Sequence, residues 1–75
     1  MDFASPPPAI YDHEPKEKYR VARLPAKEVK RACGGIGRAC SIPKRRLIVV
    51  EKGLHGAILG MILRHEKGHL NGWAH

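Results

Sequence analysis

The residues best suited to chemistry lie at the end of the sequence, where histidines and a glutamate recur at fixed spacing. His65 and His69 are four residues apart. On a helix their imidazoles therefore lie on one face, one turn apart, close enough to bind the same ion. Glu66 lies about 100° further round the helix axis, where its carboxylate can reach a metal-bound water without joining the ligands. The spacing predicts a metal centre with an adjacent general base.

Gly72 and His75 extend this pattern to HExxHxxGxxH. Gly72 can end the helix in a left-handed backbone conformation, which turns the chain back and brings His75 towards the ion. Three neutral imidazole nitrogens and one water make a tetrahedral zinc site with an open catalytic position. The predicted zinc ligands are therefore His65, His69 and His75. The alternative, in which the histidines only solvate the end of a core helix, does not account for Gly72.

The segment from His65 to His75, HEKGHLNGWAH, resembles the zinc-binding signature of the metzincin metallopeptidases. The resemblance implies that the three histidines bind zinc and that Glu66 is the general base in peptide-bond hydrolysis. It also implies an edge strand before the helix that pairs with an extended substrate, and Leu47–Val50 occupies that place. The methionine-bearing turn and the larger N-terminal sheet of the family have no counterpart here. A minimal zincin-like domain is therefore expected.

A helix must position these residues, and the hydrophobic pattern predicts one. Apolar residues recur at helical spacing from Leu54 onward, in register with His65, which is typical of a mostly buried helix. Asn71 and Gly72 then supply its C-terminal stop. Glycine lowers helix propensity, so Gly56, Gly60 and Gly68 within this helix indicate places where another group needs a bare backbone, such as close packing on the sheet.

Strand signals precede the helix. Leu47–Val50 is aliphatic and largely β-branched, which makes it the clearest strand, and Lys18–Leu24 shows the imperfect alternation of a second one. The fold class predicted is α+β, with a short antiparallel sheet packed on the C-terminal active-site helix. This zincin-like, metal-binding domain is expected over residues 18–75. Residues 1–17 are rich in proline and are expected to form a mobile tail.

Two cysteines bracket a glycine-rich loop. Cys33 and Cys40 have six residues between them, whereas zinc sites usually space paired cysteines two to four residues apart. A disulfide that closes the loop is favoured, and it would contribute about 2 to 3 kcal/mol to stability. The other interpretation is a pair of reduced, buried thiols.

Length and charge narrow the functions open to the chain. It has 75 residues and a net charge of +7, and ten of its fourteen lysines and arginines lie in residues 18–50. Such charge can attract nucleic acid, but small domains often carry it for solubility, so nucleic acid is not the expected partner. The longest nearly apolar run, Ala57–Leu63, is far shorter than the roughly 20 residues of a membrane-spanning helix, so no membrane partner is expected.

These observations together predict a minimal zinc-dependent peptidase that acts on a peptide or protein substrate. The alternative is a non-catalytic, zinc-stabilised basic binding module, in which the metal replaces missing core. Both functions require zinc, and they differ in whether Glu66 takes part in a reaction.

Overall fold

A computed structural model describes residues 5–35 and 37–74. The predicted α+β class is confirmed, because three strands form one sheet and two helices pack on it. The strands are β1, β2 and β3, and the helices are α1 and α2. In chain order they are β1 (Arg20–Leu24), α1 (Ala26–Ala32), β2 (Ala39–Ile42), β3 (Leu47–Glu51) and α2 (Gly56–Leu70). Short 3-10 turns lie at Ala9–Tyr11 and Pro43–Arg45. Among the described residues, no helix is long and apolar enough to cross a membrane.

The sheet is mixed, which corrects the prediction of an antiparallel sheet. Its strand order is β1-β3-β2. β3 is antiparallel to β2, from which it is separated by the tight turn at Pro43–Arg45. It is parallel to β1, with Arg20 paired to Leu47 and Leu24 paired to Glu51. The parallel pairing is possible because a long connection separates the two strands: after β1 the chain passes through α1 and the other edge strand, β2, before it enters the centre of the sheet as β3.

The central position of β3 overturns a second expectation. Leu47–Val50 is not the edge strand that the sequence predicts, because its backbone pairs with β1 on one side and with β2 on the other. Ile48, Val49 and Val50 are each at most 1% exposed, so both faces of the strand are covered. The β-branched, aliphatic run therefore reflects burial in the sheet centre rather than an open edge. The edges of the sheet are β1 and β2.

The main hydrophobic core lies between the sheet and α2. Ile48 and Val50 pack there with Ile62 and Leu70 of the helix. Side chains alternate along a strand, so Val49 faces the opposite side of the sheet. That is the side of α1, whose Val29 is fully buried. The core is aliphatic and small, as a chain of this length requires.

The predicted disulfide is confirmed. Cys33 follows the last residue of α1, and it is bonded to Cys40 of β2. The two Cα atoms are 5.7 Å apart, within the usual range for a disulfide. The bond ties the helix on one face of the sheet directly to an edge strand.

Replacing both cysteines by serine should lower the free energy of unfolding by about 2 to 3 kcal/mol, because the unfolded chain regains the entropy of an open loop. Urea denaturation of the wild type and of Cys33→Ser/Cys40→Ser would measure the difference. Wild type treated with a reductant is the matched control and should unfold at the same urea concentration as the variant. Equal midpoints for oxidised and reduced wild type would contradict the stabilising role of the bond.

Candidate functional site

The C-terminal end of α2 is built by a Schellman motif, the standard pair of hydrogen bonds that closes a helix. The N–H of Gly72 donates to the carbonyl of His69 at 3.1 Å, and that of Trp73 donates to the carbonyl of Gly68 at 3.0 Å. Gly72 has a φ of +109°, which confirms its predicted role as the helix stop. The chain reverses there, so Trp73 folds back onto the last turns of the helix.

The structure brings His65 and His69 together as the sequence predicted. Their Nε2 atoms are 3.1 Å apart, and the ring centroids are 4.8 Å apart. His65 is only 2% exposed. Trp73 covers the pair: its ring stacks on His69 with a centroid distance of 4.7 Å and an angle of 7° between the planes. Trp73 also makes an edge contact with the ring of His65, at a centroid distance of 4.9 Å. The sequence did not predict this contact.

The other nitrogen of each imidazole is held by a backbone carbonyl. Nδ1 of His65 lies 2.8 Å from the oxygen of Ser5, and Nδ1 of His69 lies 2.7 Å from the oxygen of Trp73. A carbonyl oxygen can only accept a hydrogen bond, so each Nδ1 carries the proton. With Nδ1 as the donor in each ring, the neutral form of the pair has two acceptor Nε2 atoms that face one another. Such an arrangement is stable when a cation, either a proton or a metal ion, lies between the two nitrogens.

Zinc fits this pair in donor type and in separation. Two nitrogens that each lie about 2.0 to 2.1 Å from a tetrahedral zinc ion are about 3.3 Å from one another, close to the 3.1 Å observed. Histidines that bind metals also usually donate their other ring N–H to a carbonyl or a carboxylate, as both rings do here. His75, the predicted third ligand, lies outside the described residues.

Glu66, the predicted general base, is 4% exposed. It is the next residue of α2 after His65, so its side chain projects about 100° further round the helix. Burial keeps a carboxylate away from bulk water. Its interactions with nearby charges and dipoles are therefore stronger than they would be in water.

The first part of the chain lies against α2, in contacts that the sequence did not predict. The amide of Asn71 donates to the carbonyls of Tyr11 and His13, at 2.8 and 2.7 Å. Arg64 forms an ion pair with Asp12 through two hydrogen bonds. Lys67 donates to Glu14 at 2.8 Å. The sequence indicates these contacts only through charge. Residues 1–17 hold four acidic residues and one basic residue, whereas Arg64 and Lys67 of α2 are cations.

These ion pairs lower the pKa values of both carboxyl groups. The hydrogen bond from Arg64 holds the pKa of Asp12 below its ordinary value. The hydrogen bond from Lys67, followed by that from Tyr19, does the same for the pKa of Glu14. The hydroxyl of Tyr19 donates to Glu14 at 2.5 Å. Burial, and then this contact, raise the pKa of Tyr19.

Arg46 joins three parts of the chain near the same end of α2. Its guanidinium donates to the carbonyl of Leu70, in the last turn of the helix, at 3.1 Å. It also donates to the carbonyls of Glu17 and Lys18, at 3.3 and 3.4 Å. A cation at a helix C-terminus interacts favourably with the helix dipole. Arg46 therefore holds the start of β3, the approach to β1 and the end of α2 together.

A groove of about 600 Å³ lies beside Arg46. Residues 15–20 line one part of it, and Arg45 and Arg46 line another. Five cationic side chains surround it, and none of them lies within ion-pair distance of an acidic side chain in residues 5–35 and 37–74. These are Lys16, Lys18, Arg20, Arg45 and Arg46. Glu17 also lines the groove, so five positive charges face one negative charge, and the groove is a region of net positive charge that attracts anionic groups.

Comparisons of the chain with protein-family models, curated proteins and solved structures found no match. The assignment to the metzincins is wrong, because no family model matches and the part of the chain that the structure describes holds no group of three or more potential metal ligands. The two cysteines form a disulfide instead of contributing to such a group. The physical reason is that spacing along one helix determines only the relation of His65 to His69. It does not encode the remaining scaffold of a family.

Arg64→Gln should raise the pKa of Asp12 towards its ordinary value, because the variant loses the hydrogen bond and the positive charge that favour the carboxylate. The lowered pKa stabilises the fold above the unfolded-state pKa, and this contribution is lost as the pH falls through the folded-state pKa. A carbon-13 NMR titration of the carboxyl groups would measure the pKa of Asp12 in wild type and in the variant. Glu14 is the internal control, since its pKa should stay low while Lys67 remains. An unchanged Asp12 titration in the variant would show that the ion pair does not form in solution.

Arg46→Gln should lower the free energy of unfolding by about 2 kcal/mol, because hydrogen bonds from a charged donor to three carbonyls are lost. The neighbouring substitution Arg45→Gln removes the same charge from an exposed side chain and should change stability by about 0.5 kcal/mol or less. Urea denaturation of both variants would compare them. Equal effects would mean that net charge, and not the three contacts of Arg46, stabilises the fold.

Proposed function

We propose that this chain is a zinc-dependent peptidase in which His65 and His69 bind the metal and Glu66 is the general base. The observation that carries the proposal is the pair of Nε2 atoms at 3.1 Å, with a carbonyl behind each ring. Both rings are thereby prepared to donate an electron pair to a cation placed between them. His75 is proposed as the third ligand.

Zinc held at this site would lower the pKa of a water molecule and polarise a substrate carbonyl. The chain itself supplies the proton transfers. Glu66 would take a proton from the attacking water and then pass it to the nitrogen of the leaving amine. Trp73 shields one face of His69 from water, which helps keep the rings in their orientation.

The proposed substrate is an acidic stretch of polypeptide. The five cations around the groove would attract it. The groove lies near the C-terminal end of α2, because Arg46, one of its lining residues, donates to the carbonyl of Leu70, the residue after His69. β1 is an edge strand whose exposed side could pair with an extended peptide. This edge replaces Leu47–Val50 as the proposed place of substrate pairing.

A second candidate is the non-catalytic, zinc-stabilised binding module. The burial of His65 and Glu66, at 2% and 4% exposure, favours it, because structural zinc sites are closed whereas catalytic sites keep an open position. Zinc would then contribute folding energy to a domain with a small core. The basic groove would be its binding surface.

Glu66→Gln separates the two candidates. For the peptidase, wild type should bind about one zinc ion per chain and cleave an acidic peptide library. The variant should keep its zinc and lose about 100-fold to 10,000-fold in rate. Elemental analysis and mass spectrometry of the peptide products would measure binding and cleavage. Glu28→Gln, on the exposed surface of α1, is the matched control and should cleave like wild type.

Zinc binding without cleavage by wild type would support the binding module instead. His65→Ala and His69→Ala should each abolish stoichiometric zinc, whereas His55→Ala, at the exposed start of the same helix, should not. Wild type that folds without binding zinc would overturn both candidates.

A further inference from the structure

We infer that the N-terminal segment, residues 5–14, is a functional part of the metal site and positions His65 for metal binding. The inference rests on the proposed zinc site, and it assigns a role to a part of the chain that the histidine pattern does not contain. Ser5, the first residue of the segment, lies 60 residues before His65 in the sequence, yet its carbonyl contacts the ring of that histidine.

The carbonyl of Ser5 determines which nitrogen of His65 is presented to a metal. With Nδ1 donating to this oxygen at 2.8 Å, the ring directs Nε2 towards His69. His69 receives the same support from Trp73, four residues further along the chain. The two ligands therefore differ: the orientation of His69 is set locally, whereas that of His65 depends on a remote segment. Partners of this kind typically change metal affinity about 10-fold to 100-fold when they are lost.

Side chains of α2 and its C-terminal cap anchor the segment along the helix. Arg64 and Lys67 hold the carboxylates of Asp12 and Glu14, and Asn71 holds the carbonyl of Tyr11. All three anchors belong to the same stretch of chain as the two imidazoles. Release of the anchors should therefore loosen the carbonyl of Ser5 from His65.

Gly68 provides the space that the segment needs. A Cβ atom at this position would lie 2.6 Å from Cβ and 2.9 Å from Cγ of Pro7, and 3.1 Å from a ring carbon of Trp73. A proline ring is rigid, so such contacts must displace the segment. Gly60 occupies the same helix, but a Cβ atom added there would meet no atom within 4 Å. The bare backbone predicted for Gly68 thus serves the approach of Pro7 and Trp73 and not packing on the sheet.

The first test removes the anchors. Arg64→Gln/Lys67→Gln takes two positive charges away from a cation site, and electrostatics alone would then make zinc bind more tightly. If the segment positions His65, zinc should instead bind about 10-fold to 100-fold more weakly. Competition with a chromophoric chelator would measure the affinity in the full chain. Nitrogen-15 NMR of the zinc-free proteins should show the Nδ1-protonated form of His65 in wild type and a mixture of tautomers in the variant.

The second test compares two glycines of one helix. Gly68→Ala and Gly60→Ala both improve helix propensity, but only Gly68→Ala should weaken zinc binding, again about 10-fold to 100-fold. Adding Pro7→Gly to Gly68→Ala removes the two clashing proline atoms and should restore part of the lost affinity. A double variant as weak as Gly68→Ala would overturn the role of the segment, because the displacement of Trp73 would then explain the loss.

The outcomes separate this inference from the proposed function. If wild type binds zinc and the anchor variant binds it equally or more tightly, the segment has no positioning role, although the zinc site stands. If wild type binds no zinc at all, the zinc site itself is wrong and the inference falls with it.

Discussion

The C-terminal end of α2 is organised around one electrostatic constraint, the approach of the Nε2 atoms of His65 and His69 to 3.1 Å. His65 and His69 can face each other in this way because a carbonyl behind each ring holds the proton on the far nitrogen. The two carbonyls come from distant parts of the chain, at Ser5 and Trp73. The pair is therefore complete only when both segments fold onto the last turns of α2, where a cation between the nitrogens would stabilise all three.

The rest of the fold brings these parts to one place. β3 is the central strand of the sheet, and its Ile48 and Val50 form the core together with Ile62 and Leu70 of α2. Arg46, just before β3, then connects the sheet to the carbonyl of Leu70 and to the segment that leads into β1. The disulfide between Cys33 and Cys40 secures the other side of the sheet. A small aliphatic core is thus supplemented by one covalent bond and by charged contacts, as short domains require.

Features that depend on neighbours along the chain could be predicted from the sequence. The helix that carries His65 and His69, its stop at Gly72, the strand over Leu47–Val50 and the cysteine pair all follow from local spacing and residue type, and the structure contains each of them. The position of that strand in the sheet could not be predicted in the same way. A β-branched run shows that a strand is buried, but it does not show which strands flank it, and the edge assigned to it was wrong.

The pairing of His65 with His69 could be read from their spacing alone, since the geometry of an α-helix places residues four apart on one face whatever surrounds them. The orientation of the two rings, the groups that cover them and the residues that hold those groups in place depend on contacts between distant parts of the chain. Asp12, Glu14 and Ser5 meet α2 across more than 50 positions of chain, and nothing in the proline-rich composition around them specifies a partner at that distance. The reason is physical: local spacing defines angles within one element, whereas contacts between elements depend on the packing of the whole chain.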